Sequence, residues 1–258
     1  MDAPDIVHVA IAPPSKSEAN LIEQVSAVID KNIYETRLLL TGKLPRIIAH
    51  YQNMESAESI AHKLKDLGLL AFVCRDSELR KPTQIFRAHT MEFKEKEVIF
   101  KDNGGHERKI AATEVFLIIK GKINIQAETE ITETKIRWGA TLMLMASGIP
   151  YIRTVKEKIS DQSGQTEYFA RLYAKESPEQ SVEIPQLHMN YSFLGARMTP
   201  SSITNFNTVL IQLREVSPQA IFDDRLAKIS DMDVSPEKSR SNLEVNCKLL
   251  YLCHLATK

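Results

Sequence analysis

Seven histidines and three cysteines are the residues of this chain best suited to metal or nucleophilic chemistry. A metal site needs such residues at short, repeated spacings, and there is no His-Glu-x-x-His, no Cys-x-x-Cys and no EF-hand loop. Cys247 and Cys253-His254 stand too far apart for haem attachment. On a helix those two thiols face different sides, so packing as small inert apolar groups is the expectation. His8, His50, His62, His89, His106 and His188 are scattered over separate segments. Adjacent carboxylates shift one another's proton affinity, but Asp223-Asp224 follows Phe222 as a solvated turn would. Ser163-Gly164 lacks the flanking glycine of a nucleophile elbow. Gly104-Gly105 has no following Lys-Ser/Thr to make a phosphate loop. The spacing therefore predicts no catalytic residue, no metal and no cofactor, and a chain that is not an enzyme.

What the residues do offer is contact. Trp138, Leu142, Met143, Met145 and Tyr151, with Leu144, Ile149 and Pro150 among them, combine flexible Met side chains with an aromatic anchor. That mixture suits an adaptable protein interface. Three readings stand: the segment meets a partner or a second copy, it folds back over its own sheet, or it lies on a membrane surface, which flanks mixing Lys and Glu disfavour.

Composition narrows the classes further. With 33 basic and 33 acidic residues the net charge is zero. A generic electrostatic nucleic-acid binder needs a basic excess to displace counterions, so no nucleic acid is expected. The sparse, odd cysteines imply no disulfide framework. The acidic start and the short apolar run at residues 6–12 do not resemble a secretory signal. The most apolar stretch, residues 138–151, is shorter than the roughly 20 residues that span a bilayer. A cytoplasmic chain of bacterial style, with no membrane span, is the expectation.

These residues must be positioned by two kinds of fold. Residues 6–12 are β-rich and stop at Pro13-Pro14. Ser15-Lys-Ser-Glu18 fits a capping box, followed at helical spacing by Leu21, Ile22, Val25, Val28 and Ile29. A second helix spans residues 33–40 and closes at Gly42. Residues 44–51 form a strand entered through Pro45. Asn53 caps a third helix with Ala57, Ile60, Ala61, Leu64 and Leu67 on its inner face, Gly68 ends it, and residues 69–74 form a last strand. The order is β-α-α-β-α-β. The carrying segments are Val25-Ser-Ala-Val-Ile-Asp30, Tyr34-Glu-Thr-Arg-Leu-Leu-Leu-Thr-Gly42, Leu44-Pro45 and Glu55-Ser-Ala-Glu-Ser-Ile-Ala-His-Lys-Leu-Lys-Asp-Leu-Gly68. On them the region resembles the C-terminal domain of the ribosomal stalk protein, a fold shared with the Clp protease adaptor. That resemblance implies a docking module. Tyr34-Glu35-Thr36-Arg37 stands where the family's Lys-rich helix receives translation factors, which makes Tyr34 and Arg37 candidate partner contacts. Asp30-Lys31-Asn32-Ile33 replaces the family's Gly-rich turn.

Glu78-Leu-Arg-Lys-Pro82 reads as a linker into a β-meander. Asp102-Asn-Gly-Gly105 signals a hairpin. Residues 115–119 are a buried strand continuing through Ile123 and Ile125. The β pattern resumes at residues 168–174 and at Val182 and Ile184, extending toward His188. Thr199-Pro200 opens a helix, Thr as cap and Pro at its first position, with Ile203, Phe206, Val209, Leu210 and Leu213 inward. Strands closed by one C-terminal helix resemble a bacterial PH-like (pleckstrin homology) module. A long interruption in so small a domain is often functional. The expected fold class is α+β: a stalk-like module at 1–76, a mainly antiparallel PH-like module at 83–232 with an insertion at 126–167, and a C-terminal helix at 233–258. The expected function is protein binding or scaffolding, with another protein or a second copy (a homo-oligomer) as partner. A small-molecule or lipid-headgroup binder and an enzyme of unrecognised type are the alternatives.

Overall fold

The apolar run near the start forms β1 (Val7–Ile11), the central strand of a three-stranded antiparallel sheet ordered β2-β1-β3, with β2 at Arg46–Tyr51 and β3 at Ala71–Arg75. The computed structural model describes residues 5–16, 18–81, 84–126, 130–136, 154–160, 164–175, 180–229 and 236–257. Between the strands run α1 (Ala19–Ile29), α2 (Ile33–Leu40) and α3 (Met54–Asp66). Val7, Val9 and Ile11 point to these helices and meet Ile22, Val25, Leu40, Ala57, Ala61 and Leu64 in one buried cluster. Side chains alternate along a strand, so Ala10, Phe72 and Cys74 face the other way. There they meet Leu79 of α4 (Asp76–Arg80) and Leu249 and Cys253 of α6 (Pro236–Ala256). The sheet is thus buried on both faces, and the C-terminal helix supplies the second cover.

Downstream, β5 (Thr90–Phe93), β6 (Glu97–Lys101) and β7 (Glu107–Ala111) form an antiparallel meander, its β6–β7 turn at the Asp102–Gly105 signal. A five-stranded sheet is ordered β13-β8-β11-β12-β4, with β4 at Phe86–Arg87, β8 at Val115–Gln126, β11 at Gly164–Ala174, β12 at Val182–Pro185 and β13 at Ile221–Asp223. β11 and β12 pair antiparallel, whereas β13 joins β8 and β4 joins β12 in parallel. Ile118, Ala170, Leu172, Val182 and Ile184 pack with Val98, Phe100 and the inner stripe of α5 (Ser202–Val216), namely Phe206, Val209, Leu210 and Leu213. Ile119, Phe169 and Tyr173 leave the opposite face and meet Cys247, Leu250 and Tyr251 of α6. The fold class is α+β.

Contacts divide the chain into two compact units, Met1–Ile123 with Glu167–Lys258, and Asn124–Thr166. In the second, β9 (Glu130–Ile136) pairs antiparallel with β10 (Thr154–Ser160).

Local expectations are corrected in several places. At the start of α1, Glu18 occupies the cap position and makes no side-chain cap hydrogen bond, so Ser15 is not the cap the sequence suggests. α2 ends at Leu40 with Thr41 as its cap residue in extended backbone, and Gly42 follows with φ 121°, a positive φ that favours glycine at the residue after a helix cap. The proposed linker at residues 78–82 is largely the helix α4. The cap of α5 is Ser201, whose Oγ accepts from the Thr204 N–H. Thr199 is instead clamped to the buried Asn205, which accepts from the Thr199 N–H and donates to the Thr199 carbonyl, both at 2.8 Å. β12 ends at Pro185, before His188.

Candidate functional site

Helix α2 is short, and its ends are fastened by side chains. Asn32 Oδ1 accepts from the Glu35 N–H at 2.8 Å, and Thr36 Oγ1 donates to the Asn32 carbonyl at 2.9 Å. At the other end the Leu38 carbonyl accepts from Thr41 Oγ1 at 2.8 Å and Arg46 Nη1 at 3.1 Å. Glu35 in the first turn and Arg37 in the last agree with the helix dipole. Thr36 and Leu40 are buried against the module's core, with Leu39 partly so. At about 100° per residue, Arg37, Tyr34 and Leu38 then share the outward arc, and Ile33 lies at its edge, in the first turn on the side of Leu40. Tyr34 is 71% exposed, Ile33 51% and Leu38 49%. Among the described residues six large apolar side chains are exposed, and three of them lie on this one helix. Apolar side chains exposed singly are ordinary; three on one short helix make its outward face the candidate contact surface. Arg37 stands within the set and Arg46 at its C-terminal end, both exposed.

Of the sequence candidates, the structure places Tyr34 and Arg37 together on this face. Trp138, Leu142, Met143, Met145 and Tyr151 lie outside the described residues.

Three ionic clusters were not legible as sequence motifs. In the first, Arg171 of β11 is buried and donates to Glu183 of β12, Nη2 to Oε2 at 2.8 Å, and to Glu244 of α6, Nη2 to Oε1 at 2.6 Å. Arg87 Nε donates to the other Glu183 oxygen at 3.0 Å. Burial opposes the Arg171 charge, yet the groups around it, the two carboxylates included, raise its pKa above the ordinary guanidinium value. A cavity of about 110 Å³ opens here, lined by these four residues with Ile85, Ile123 and Leu243. Two guanidiniums face two carboxylates, so the donors and acceptors satisfy one another. The cluster joins α6 to the sheet and offers no spare acid or base.

In the second, Asp223 is buried, which corrects the expected solvated turn. It accepts from Arg225 Nη2 at 2.6 Å and from His254 Nε2 at 2.8 Å. Burial alone would raise the Asp223 carboxyl, but these two hydrogen-bond partners hold it well below the usual carboxylate range. Arg225 Nη1 also donates to the Lys43 carbonyl at 3.3 Å, tying this corner to the loop between α2 and β2. In the third, His8 lies between His50 and Asp76: Nδ1 to Nδ1 at 2.8 Å, and Nε2 to Asp76 Oδ1 at 2.9 Å.

The cysteines are all buried and free. Burial pushes the Cys247 and Cys74 thiols up to about 12, with Glu78 and Asp76 adding at Cys74. Cys247 packs in the cluster on the five-stranded sheet and Cys253 in the one on the three-stranded sheet, so the two faces of α6 do receive one thiol each. No group of metal-ligating side chains is found among the described residues, and no helix among them is long and apolar enough to cross a membrane. Compared with protein-family models, curated proteins and solved structures, the chain matches none.

Proposed function

We propose that this chain is a binding protein that docks a protein partner on the outward face of α2. The observation that carries the reading is the exposure of Ile33, Tyr34 and Leu38 together on a helix whose other face is buried and whose ends are capped. A preorganised face costs little ordering entropy when a partner binds. Tyr34 is the natural anchor, being large and amphipathic with few rotors. Arg37 and Arg46 give the rim positive charge, so the matching surface is an apolar ridge bearing carboxylates. That surface belongs to another protein or to a second copy of the chain.

The test is quantitative capture with the tagged chain from its own cell. The wild type is compared with a Tyr34→Asp, Leu38→Asp double variant and with Ile211→Asp, which alters an exposed apolar residue on α5. A species retained by wild type and by Ile211→Asp but reduced more than about tenfold in the double variant supports the docking face, since each lost anchor is worth about 2 kcal/mol. Equal retention by all three removes α2 from the account.

A further inference from the structure

We propose that His8 and His50 form a proton-limited latch, which holds the edge strand β2 to β1 while the pair carries at most one added proton and opens when both rings are charged. The proposal is independent of the docking reading. His8 and His50 are direct cross-strand partners, and their rings meet edge to face with centroids 4.8 Å apart and planes at 84°. His8 is 4% exposed, whereas His50 is open to solvent.

Hydrogen-bond chemistry then fixes where protons sit. Both Asp76 oxygens accept from Arg80 Nε at 2.8 Å, and Oδ1 also meets His8 Nε2. An ionised carboxylate only accepts, so His8 Nε2 carries hydrogen. Between the two Nδ1 atoms one must donate and the other accept. With both rings neutral, His50 Nδ1–H donates to His8 Nδ1, and His50 Nε2 is a bare acceptor. One added proton enters at His50 Nε2. The shared hydrogen passes to His8 Nδ1, the charge moves beside Asp76, and the contact stays closed. A second added proton has no such path. It sets N–H against N–H and one imidazolium against another, and the solvent-facing His50 ring is the one free to leave.

Other charged groups face the pair from each neighbouring element. Lys31, just before α2, and Asp76 act on His50, and Arg80 and His8 act on Asp76. Cys74 on β3 is the cross-strand partner of His8, and its environment includes Glu78. Burial first, then His8 and Lys31, lower the His50 pKa from its ordinary value, with Asp76 opposing.

The experiment is a pH titration of the full chain followed by imidazole ¹H–¹⁵N correlation spectra, on wild type, His8→Gln and Lys31→Gln. In wild type the pair should titrate in two steps, and the hydrogen-bonded Nδ1 proton should vanish only at the second. In His8→Gln the last protonation of His50 should move to about tenfold lower proton concentration, the coupling at which two sites cease to titrate independently. Lys31→Gln should shift His50 while keeping both steps. The wild-type spectra decide the matter even if His8→Gln does not fold. One common step with no protected Nδ1 proton, or His50 curves that superimpose with and without His8, would overturn the latch.

Discussion

At Asp30 the backbone takes the left-handed conformation, φ 53°, at the end of α1. An L side chain there is strained, by roughly 1 kcal/mol relative to glycine. Asp30→Gly should therefore raise stability by about 1 kcal/mol in urea unfolding, and an unchanged or lower midpoint would contradict this reading of the turn. The opposite sign is expected at Arg171. Arg171→Met leaves Glu183 buried with only Arg87 beside it, and removing one partner of a buried pair costs about 3–5 kcal/mol. Glu244→Gln should cost less, because that side chain is 34% exposed. Equal losses would show that the α6 junction, not the buried Glu183, dominates. Single residues differ in how far sequence exposes them. Asn53 is readable as a cap because its partner, the Ser56 N–H, lies three residues on. Asp223 is not, since adjacency to Asp224 suggests solvent while its partner His254 lies 31 residues away. His8 and His50 become neighbours only through a strand register that includes a bulge after Val9.

Among the elements, α6 has the widest role. It covers Ala10, Phe72 and Cys74 on one sheet and Phe169 and Tyr173 on the other. Buried thiols with raised pKa values react only when their cover opens. Leu250, fully buried, is the place to open it. In Leu250→Asp, thiol labelling at pH 8 should accelerate by at least tenfold over a nearly inert wild type, an introduced buried charge being strongly destabilising. Rapid labelling of the native wild type would mean that α6 is not a stable cover. The helix itself was legible from its apolar crowding, as were α1, α2 and α3 from their periodicity. Its seat is not, because the partner strands lie far earlier in the chain, in two separate sheets, and apolar spacing names a face without naming what meets it. The sequence puts the cap of α5 two residues early because Thr199 and Ser201 both carry hydroxyls, and only the bond from Thr199 to Asn205 tells them apart.

For the whole molecule, acid should be the weak side. The Asp223 carboxyl lies below its ordinary value in the folded state, so its stabilisation is present above the unfolded carboxylate pKa and is lost as pH falls through the folded one. The His50 pKa is also lowered, so the folded state binds that proton less readily than the unfolded chain, and stability again declines as pH falls below the ordinary imidazole range. Urea midpoints should hold near pH 7–8, begin to fall near pH 6 and fall further below pH 4. In Asp223→Asn the lower part of that loss should be smaller, and a profile identical to wild type would remove Asp223 from the cause. The central claim concerns α2, and a photo-crosslinking residue placed at position 34 tests it most directly, with position 62, exposed on α3, as control. The expected result is a discrete adduct from position 34 in the native cell, absent from position 62 and lost with Leu38→Asp. No adduct, or the same adducts from both positions, would contradict it.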